Sequence, residues 1–190
     1  ASECGRPDSV RVLLQWSADI DAVQPVTGET ALMLASNRGN NDVVTILCQK
    51  GASVNVHAKN GKTALFYAVV GGNVETIDIL LNKGAEIDAV DLMGLTPLWY
   101  ARIQSKMEAL EFLVKKGANI NHRALDGRNL LMQIEKDDRS AENSIKFLIS
   151  KGVDVNAVDN YGNSPIIVAA RTQKQWIIKY LVEAGAAIDF

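Results

Sequence analysis

The sequence predicts an all-α fold: a solenoid of stacked helix-turn-helix units joined by short β-turn or hairpin loops. Three observations predict it. A turn glycine recurs at Gly28, Gly61, Gly94, Gly127 and Gly162, spaced 33, 33, 33 and 35 residues. A second glycine, heading a Gly-Ala or Gly-Val pair, recurs at Gly51, Gly84, Gly117, Gly152 and Gly185, spaced 33, 33, 35 and 33 residues. Each pair of markers encloses two short apolar runs with helical spacing. Two markers that keep one period are the signature of a repeat array. Neither helix of such a unit can bury its apolar stripe alone, so the units stack and each supplies half of its neighbour's core.

Each element of the unit follows from its residues. The early glycine marks a tight turn, where a positive φ costs it nothing. Two residues later stand Thr30, Thr63, Thr96, Asn129 and Ser164, whose side-chain oxygens are placed to cap the first amides of a helix. Pro97 and Pro165 take the first helical position, where a missing N–H is no loss. Leu32, Leu65, Leu98, Leu131 and Ile166 come next, with Ala35, Ala68, Ala101 and Ala169 three positions on. This spacing gives a short helix with an apolar face and a small residue where a neighbour approaches. The second helix carries Val43-Val44, Ile77 with Leu80-Leu81, Leu110 with Leu113, and Ile177-Ile178 with Leu181. The later glycine supplies the left-handed residue that stops it. Lys50, Lys83, Lys116 and Lys151 just before that glycine suit the helix dipole.

The boundaries are a partial first unit at 1–24, then units at 25–57, 58–90, 91–123, 124–158 and 159–190. Ala1 aligns with Ala35, so the first unit begins at the end of a first helix. Ser17 stands there for the usual glycine, and one extra residue precedes Gly28. The 124–158 unit has Asn129 at its cap, Ile134 where alanine is usual, and two extra residues within "EKDDRSAEN". Insertions in such arrays map to turns between helices. Val10, Leu13 and Leu14 at the front are expected to pack forward onto the next unit with little cover behind, and Ile167, Ile177, Ile178, Leu181 and Val182 at the back leave no obviously polar outer stripe. The array is therefore expected to be a monomeric part of a longer chain. Trp16 and Trp176 are expected to cover end repeats or to continue into further ones, and Trp99 and Tyr100 to line the core.

The strings "GKTALFYA", "GLTPLWYA" and "GNSPIIVA" resemble the G-x-T-P-L-H-x-A motif of the ankyrin repeat family. "GASVNV", "GAEIDA", "GANINH", "GVDVNA" and "GAAIDF" are similar to its G-A-D-V-N-A. The resemblance covers essentially the whole chain. The family's histidine is replaced by Met33, Phe66, Trp99, Met132 and Ile167. The resemblance implies a non-catalytic scaffold that binds another protein through its turn tips and the inward face of its first helices. By alignment the contact spans Lys59, Asn60, Lys62, Leu92, Met93, Leu95, Ile103, Gln104, Leu125, Arg128 and Lys136. The third tip, "DLMGLT", is unusually apolar. Contiguous exposed apolar groups mark contact sites, and methionine suits adaptable binding. Alternatively these side chains pack on neighbouring tips, Leu125 above all. The resemblance also implies hydroxylation of asparagine at the V-N-A position, matched by Asn55, Asn121 and Asn156. Asparagine there equally satisfies turn backbone.

Composition excludes other classes. The 190 residues are 47% hydrophobic and 22% charged, with a net charge of −2 and no block of five like charges. Nucleic-acid binding needs a basic stripe. The apolar runs are far short of the roughly 18–20 residues of a membrane span. Cys4 and Cys48 have no metal-type spacing, and isolated cysteines fit a reducing cytoplasm. His57 and His122 fall nearly two repeats apart, roughly 20 Å at about 10 Å per helix layer. They are not expected to share a catalytic site. No phosphate loop, Cys-x-x-Cys or H-E-x-x-H occurs, so no enzyme activity and no cofactor are expected. The alternative is a targeting or substrate-recognition module of a larger enzyme or effector whose chemistry lies elsewhere.

Overall fold

The computed structural model describes residues 1–134 and 141–188. They group into two compact units, Ala1–Leu92 with Thr96–Ala118, and Met93–Leu95 with Asn119–Phe190.

The first unit contains α1 (Pro7–Gln15), α2 (Ala31–Arg38), α3 (Asn41–Gln49), α4 (Ala64–Gly71), α5 (Val74–Asn82), α6 (Pro97–Ile103) and α7 (Met107–Lys115). The first helices α2, α4 and α6 stack in one layer, and α1, α3, α5 and α7 stack in a second. Leu32, Ala35, Leu65, Ala68, Leu98 and Ala101 of the first layer are buried, as are Val44, Leu47, Ile77, Leu80, Leu110 and Leu113 of the second. Each large aliphatic side chain so buried contributes about 1.5–3 kcal/mol. Phe66 and Trp99, at the position of the missing histidine, are also buried. Close approach of α2 and α4 requires Gly71, where a Cβ would lie 2.3 Å from the Asn37 carbonyl oxygen.

The second unit contains a 3-10 turn at Leu130–Met132, α8 (Ala141–Ser150), α9 (Pro165–Arg171) and α10 (Gln175–Glu183). Its first-helix position corrects the expected repeat plan, because the described residues ahead of α8 in the 124–158 unit form only that turn. Asn129 accepts from the Leu131 amide two residues on, at 3.1 Å. Gln133 then leaves helical space at φ −80°, ψ 81°.

All ten marker glycines have positive φ, from 72° to 93°. The second glycine of each unit follows its helix as the sequence predicts. The chain also uses left-handed residues that are not glycine: Ser17 at 59°, Ser105 at 54° and Gln173 at 56°.

Caps depart from expectation. Thr30 accepts the Met33 amide at 3.3 Å, and the Met33 sulfur receives the Thr30 N–H at 3.4 Å. Thr63, Thr96 and Ser164 occupy N-cap positions with extended backbone, yet their hydroxyls make no cap bond. In α4 and α6 the amides of Phe66 and Trp99 donate instead to the backbone carbonyls of Thr63 and Thr96, each at 3.0 Å. A tighter first turn thus takes the donor that the hydroxyl would have served.

Candidate functional site

Between successive units the chain forms hairpin-like tips around the turn glycines. The first contains an antiparallel bridge between Val23 and Thr30. In the first unit, tip joins tip through Lys59 N–H to Thr27 O at 3.0 Å and Leu92 N–H to Asn60 O at 3.4 Å. In the second unit the same ladder runs from Leu125 N–H to Met93 O at 3.4 Å and from Asn160 N–H to Asp126 O at 3.0 Å.

Polar side chains brace the tips of the second unit. Arg123 donates to the carbonyls of Gly127 and Val158. Asn160 donates to Leu125 O at 3.0 Å, and Asp126 holds Arg128 Nε at 2.6 Å. Asp159 accepts from the amides of Tyr161 and Asn163 and from the Asn163 side chain. Burial pushes the Asp159 carboxyl up, but these donors and the nearby Arg128 charge outweigh it and hold the group below its ordinary range. Upon this scaffold Met93, Leu125 and Tyr161 are 62%, 73% and 80% exposed. Rigid backbone bearing exposed apolar side chains can receive a partner without the ordering cost of a flexible loop.

In the first unit, Val26 and Leu92 are the most exposed apolar tip residues. Lys59 Nζ donates to Pro25 O at 2.5 Å, and Asn60 Oδ1 accepts the Lys62 amide at 3.0 Å. Lys62 Nζ sits 4.1 Å over the Tyr100 ring, which meets Phe66 edge-on at 5.5 Å. Tyr100 is half-buried rather than fully in the core, with its hydroxyl 2.7 Å from Asp91 Oδ2. Burial and that carboxylate push its phenol upward. Burial and Glu29 raise Tyr67 to about 12, with a hydrogen bond from Asn60 opposing. Ile103 is half-buried and Gln104 exposed.

Two expected contact residues change status. Leu95 is buried. The residue after the turn glycine is half-buried as Glu29, Lys62, Arg128 and Asn163, and an apolar side chain at that inward-turned place sinks further. Lys136 and most of the "EKDDRSAEN" insertion lie outside the described residues. Trp16, expected to cover an end repeat or to continue into further ones, is 83% exposed, whereas Trp176 is half-buried and packs edge-on to Tyr180 at 6.3 Å.

The three asparagines serve structure. Asn55 donates to Gly84 O and accepts from the Glu86 amide, each at 3.0 Å. Asn156 repeats this with Gly185 O at 3.3 Å and the Ala187 amide at 2.8 Å. Asn121 accepts the Asp154 amide at 2.8 Å. His122 Nε2 lies 2.8 Å from Gly94 O, and His57 is exposed. No group of three or more His, Cys, Asp or Glu that could hold a metal ion occurs among the described residues. No helix among them is long and apolar enough to cross a membrane.

Stacked helix pairs with a braced row of tips define a repeat scaffold. Residues 1–91, 55–124 and 121–190 match the model of a family described as ankyrin repeats (3 copies). The chain belongs to the ankyrin repeat family, whose modules are generally protein–protein interaction modules and typically non-catalytic. Over 60 residues it is 40% identical to the mouse (Mus musculus) protein "Ankyrin repeat and SAM domain-containing protein 6". That stretch is 32% of this chain and spans only 7% of the mouse protein.

Proposed function

We propose that the chain binds a partner protein through its hairpin tips and the adjoining inward surface of its first helices, with Met93, Leu125 and Tyr161 as anchors. The observation that carries this reading is the exposure of three large apolar side chains on tips fixed by backbone ladders and by Arg123, Asn160 and Asp159. Leu92 adjoins Met93 in the chain and extends the apolar run. Lys59, Asn60, Lys62, Ile103, Gln104 and Arg128 form the wider footprint, polar at its rim as interfaces are. The chain acts as a monomeric, non-catalytic scaffold, and a cytoplasmic setting suits its two free thiols.

The test compares partner capture by the wild-type chain and by a Leu92→Ser/Met93→Ser variant. If these residues are anchors, affinity for the captured protein falls by more than about 1–2 kcal/mol while the melting temperature stays nearly constant. A variant that loses several degrees of melting temperature and keeps its affinity would show that the residues pack internally.

A further inference from the structure

A second surface lies on the other helix layer of the first unit. Arg11, Leu14 and Gln15 of α1, with Ile46 and Gln49 of α3 and the following Lys50, line a cavity of about 270 Å³. Ile46 is buried and Leu14 half-buried, so the floor is apolar and the rim carries two cations and two amides. Small-molecule sites occupy roughly 300–1,000 Å³. This cavity has the size of a seat for a single anchoring side chain.

The charges at this rim differ from those at the same register between α5 and α7. Counted from its first residue, the fifth position of each second-layer helix is Arg11, Thr45, Asp78 and Glu111 in α1, α3, α5 and α7. The residue after each helix is Trp16, Lys50, Lys83 and Lys116. Between α5 and α7 this register sets Lys116 Nζ 2.6 Å from Asp78 Oδ1, an ion contact though not an aligned hydrogen bond. Between α1 and α3 the same register sets Lys50 against Arg11. Lys50 makes no ion pair among the described residues. Among the described residues Arg11 meets only Asp8 of its own helix, at 3.2 Å, and the Asp8 side chain is 94% exposed. Such surface pairs contribute about 0–1 kcal/mol and yield readily to a better-placed anion. Where the α5–α7 pair has a carboxylate, this one has a second cation over an apolar floor.

We propose that this groove docks an acidic segment of a partner protein, distinct from whatever the tips bind. An apolar side chain of the segment lies on Leu14 and Ile46, and its carboxylate sits between Arg11 and Lys50 and takes the place that Asp78 fills two steps along the stack. The glutamine amides of Gln15 and Gln49 offer donors to the segment's backbone.

The probe is a phage-displayed library of random dodecapeptides, selected on the wild-type chain and counter-selected on an Arg11→Glu/Lys50→Glu variant. Both altered residues are exposed, and an Arg11→Gln/Lys50→Gln variant serves if the reversal disturbs folding. The expected winners carry Asp or Glu within a few positions of Leu, Ile or Phe. They bind the charge-reversed variant at least about ten-fold more weakly, and their binding weakens with salt. In ¹⁵N spectra they move the amides of Leu14, Ile46 and Lys50. Winners without acidic residues, equal binding to both proteins, or shifts mapping elsewhere would overturn the proposal. So would movement of those amides by dodecanoate alone, which would make the groove a small amphiphile site.

Discussion

Replacing Thr30, Thr63 and Thr96 one at a time by valine separates a working cap from hydroxyls that are merely buried. The substitution keeps shape and β-branching and exchanges one hydroxyl for a methyl. All three residues lie in the same compact unit and are at most 1% exposed. The Thr30 hydroxyl accepts the Met33 amide at 3.3 Å, so Thr30→Val leaves that buried donor unpaired. Loss of such a cap costs about 0.5–2 kcal/mol. The Thr63 and Thr96 hydroxyls have no hydrogen-bond partner. A buried hydroxyl without one carries a desolvation penalty of about 1–3 kcal/mol. Thr63→Val and Thr96→Val are therefore expected to be neutral or to stabilise by up to about 1 kcal/mol. Urea unfolding followed by Trp99 fluorescence reads all three, since Trp99 is buried in that unit. If all three variants lose stability equally, the assignment of Thr63 and Thr96 as unbonded is wrong.

Two further predictions concern stability. Ser105→Gly and Gln173→Gly remove left-handed strain at φ 54° and 56°, and each should raise the unfolding midpoint of its unit by the equivalent of about 0.5–1 kcal/mol; a fall in either midpoint would contradict this. Asp159 has a depressed folded pKa, so its contribution is present above the unfolded carboxylate value of about 3.9 and is lost as pH falls through the lower folded value. In an acid titration Asp159→Asn should flatten that loss below about pH 4, and an unchanged acid limb would remove Asp159 from the account.

Periodicity made much of the fold legible, because each marker residue answers a local backbone demand. Gly28 and Gly84 each meet a positive φ that the turn imposes, and such demands recur at every copy. What a residue does across a packing step is harder to read. Leu95 looked like a tip residue beside Leu92 and Met93, yet its side chain turns inward from the glycine and is buried. Thr63 and Thr96 have the right identity for caps, but a competing backbone carbonyl takes the amide. Asn129 and Ile134 signalled irregularity in the 124–158 unit without showing that its described first-helix residues form a 3-10 turn. Tyr161 stood in the tip register all along. Its weight emerged from exposure and from the brace that Asp159 supplies. The Arg11–Lys50 groove escaped pattern reading because it depends on which side chains two helices bring together across a packing step, which spacing does not show.

The proposed contact surface is centred on the tips of the second unit. Its most direct measurement is calorimetric titration of the captured partner into the wild-type chain, a Leu125→Ser/Tyr161→Ser variant and a Glu108→Lys/Glu111→Lys control on α7. The account predicts at least about a ten-fold loss of affinity, or about 1.4 kcal/mol, for the tip variant at unchanged melting temperature, with the control binding as wild type. Full affinity in the tip variant together with loss in the α7 control would contradict it, and would place the partner on the second helix layer.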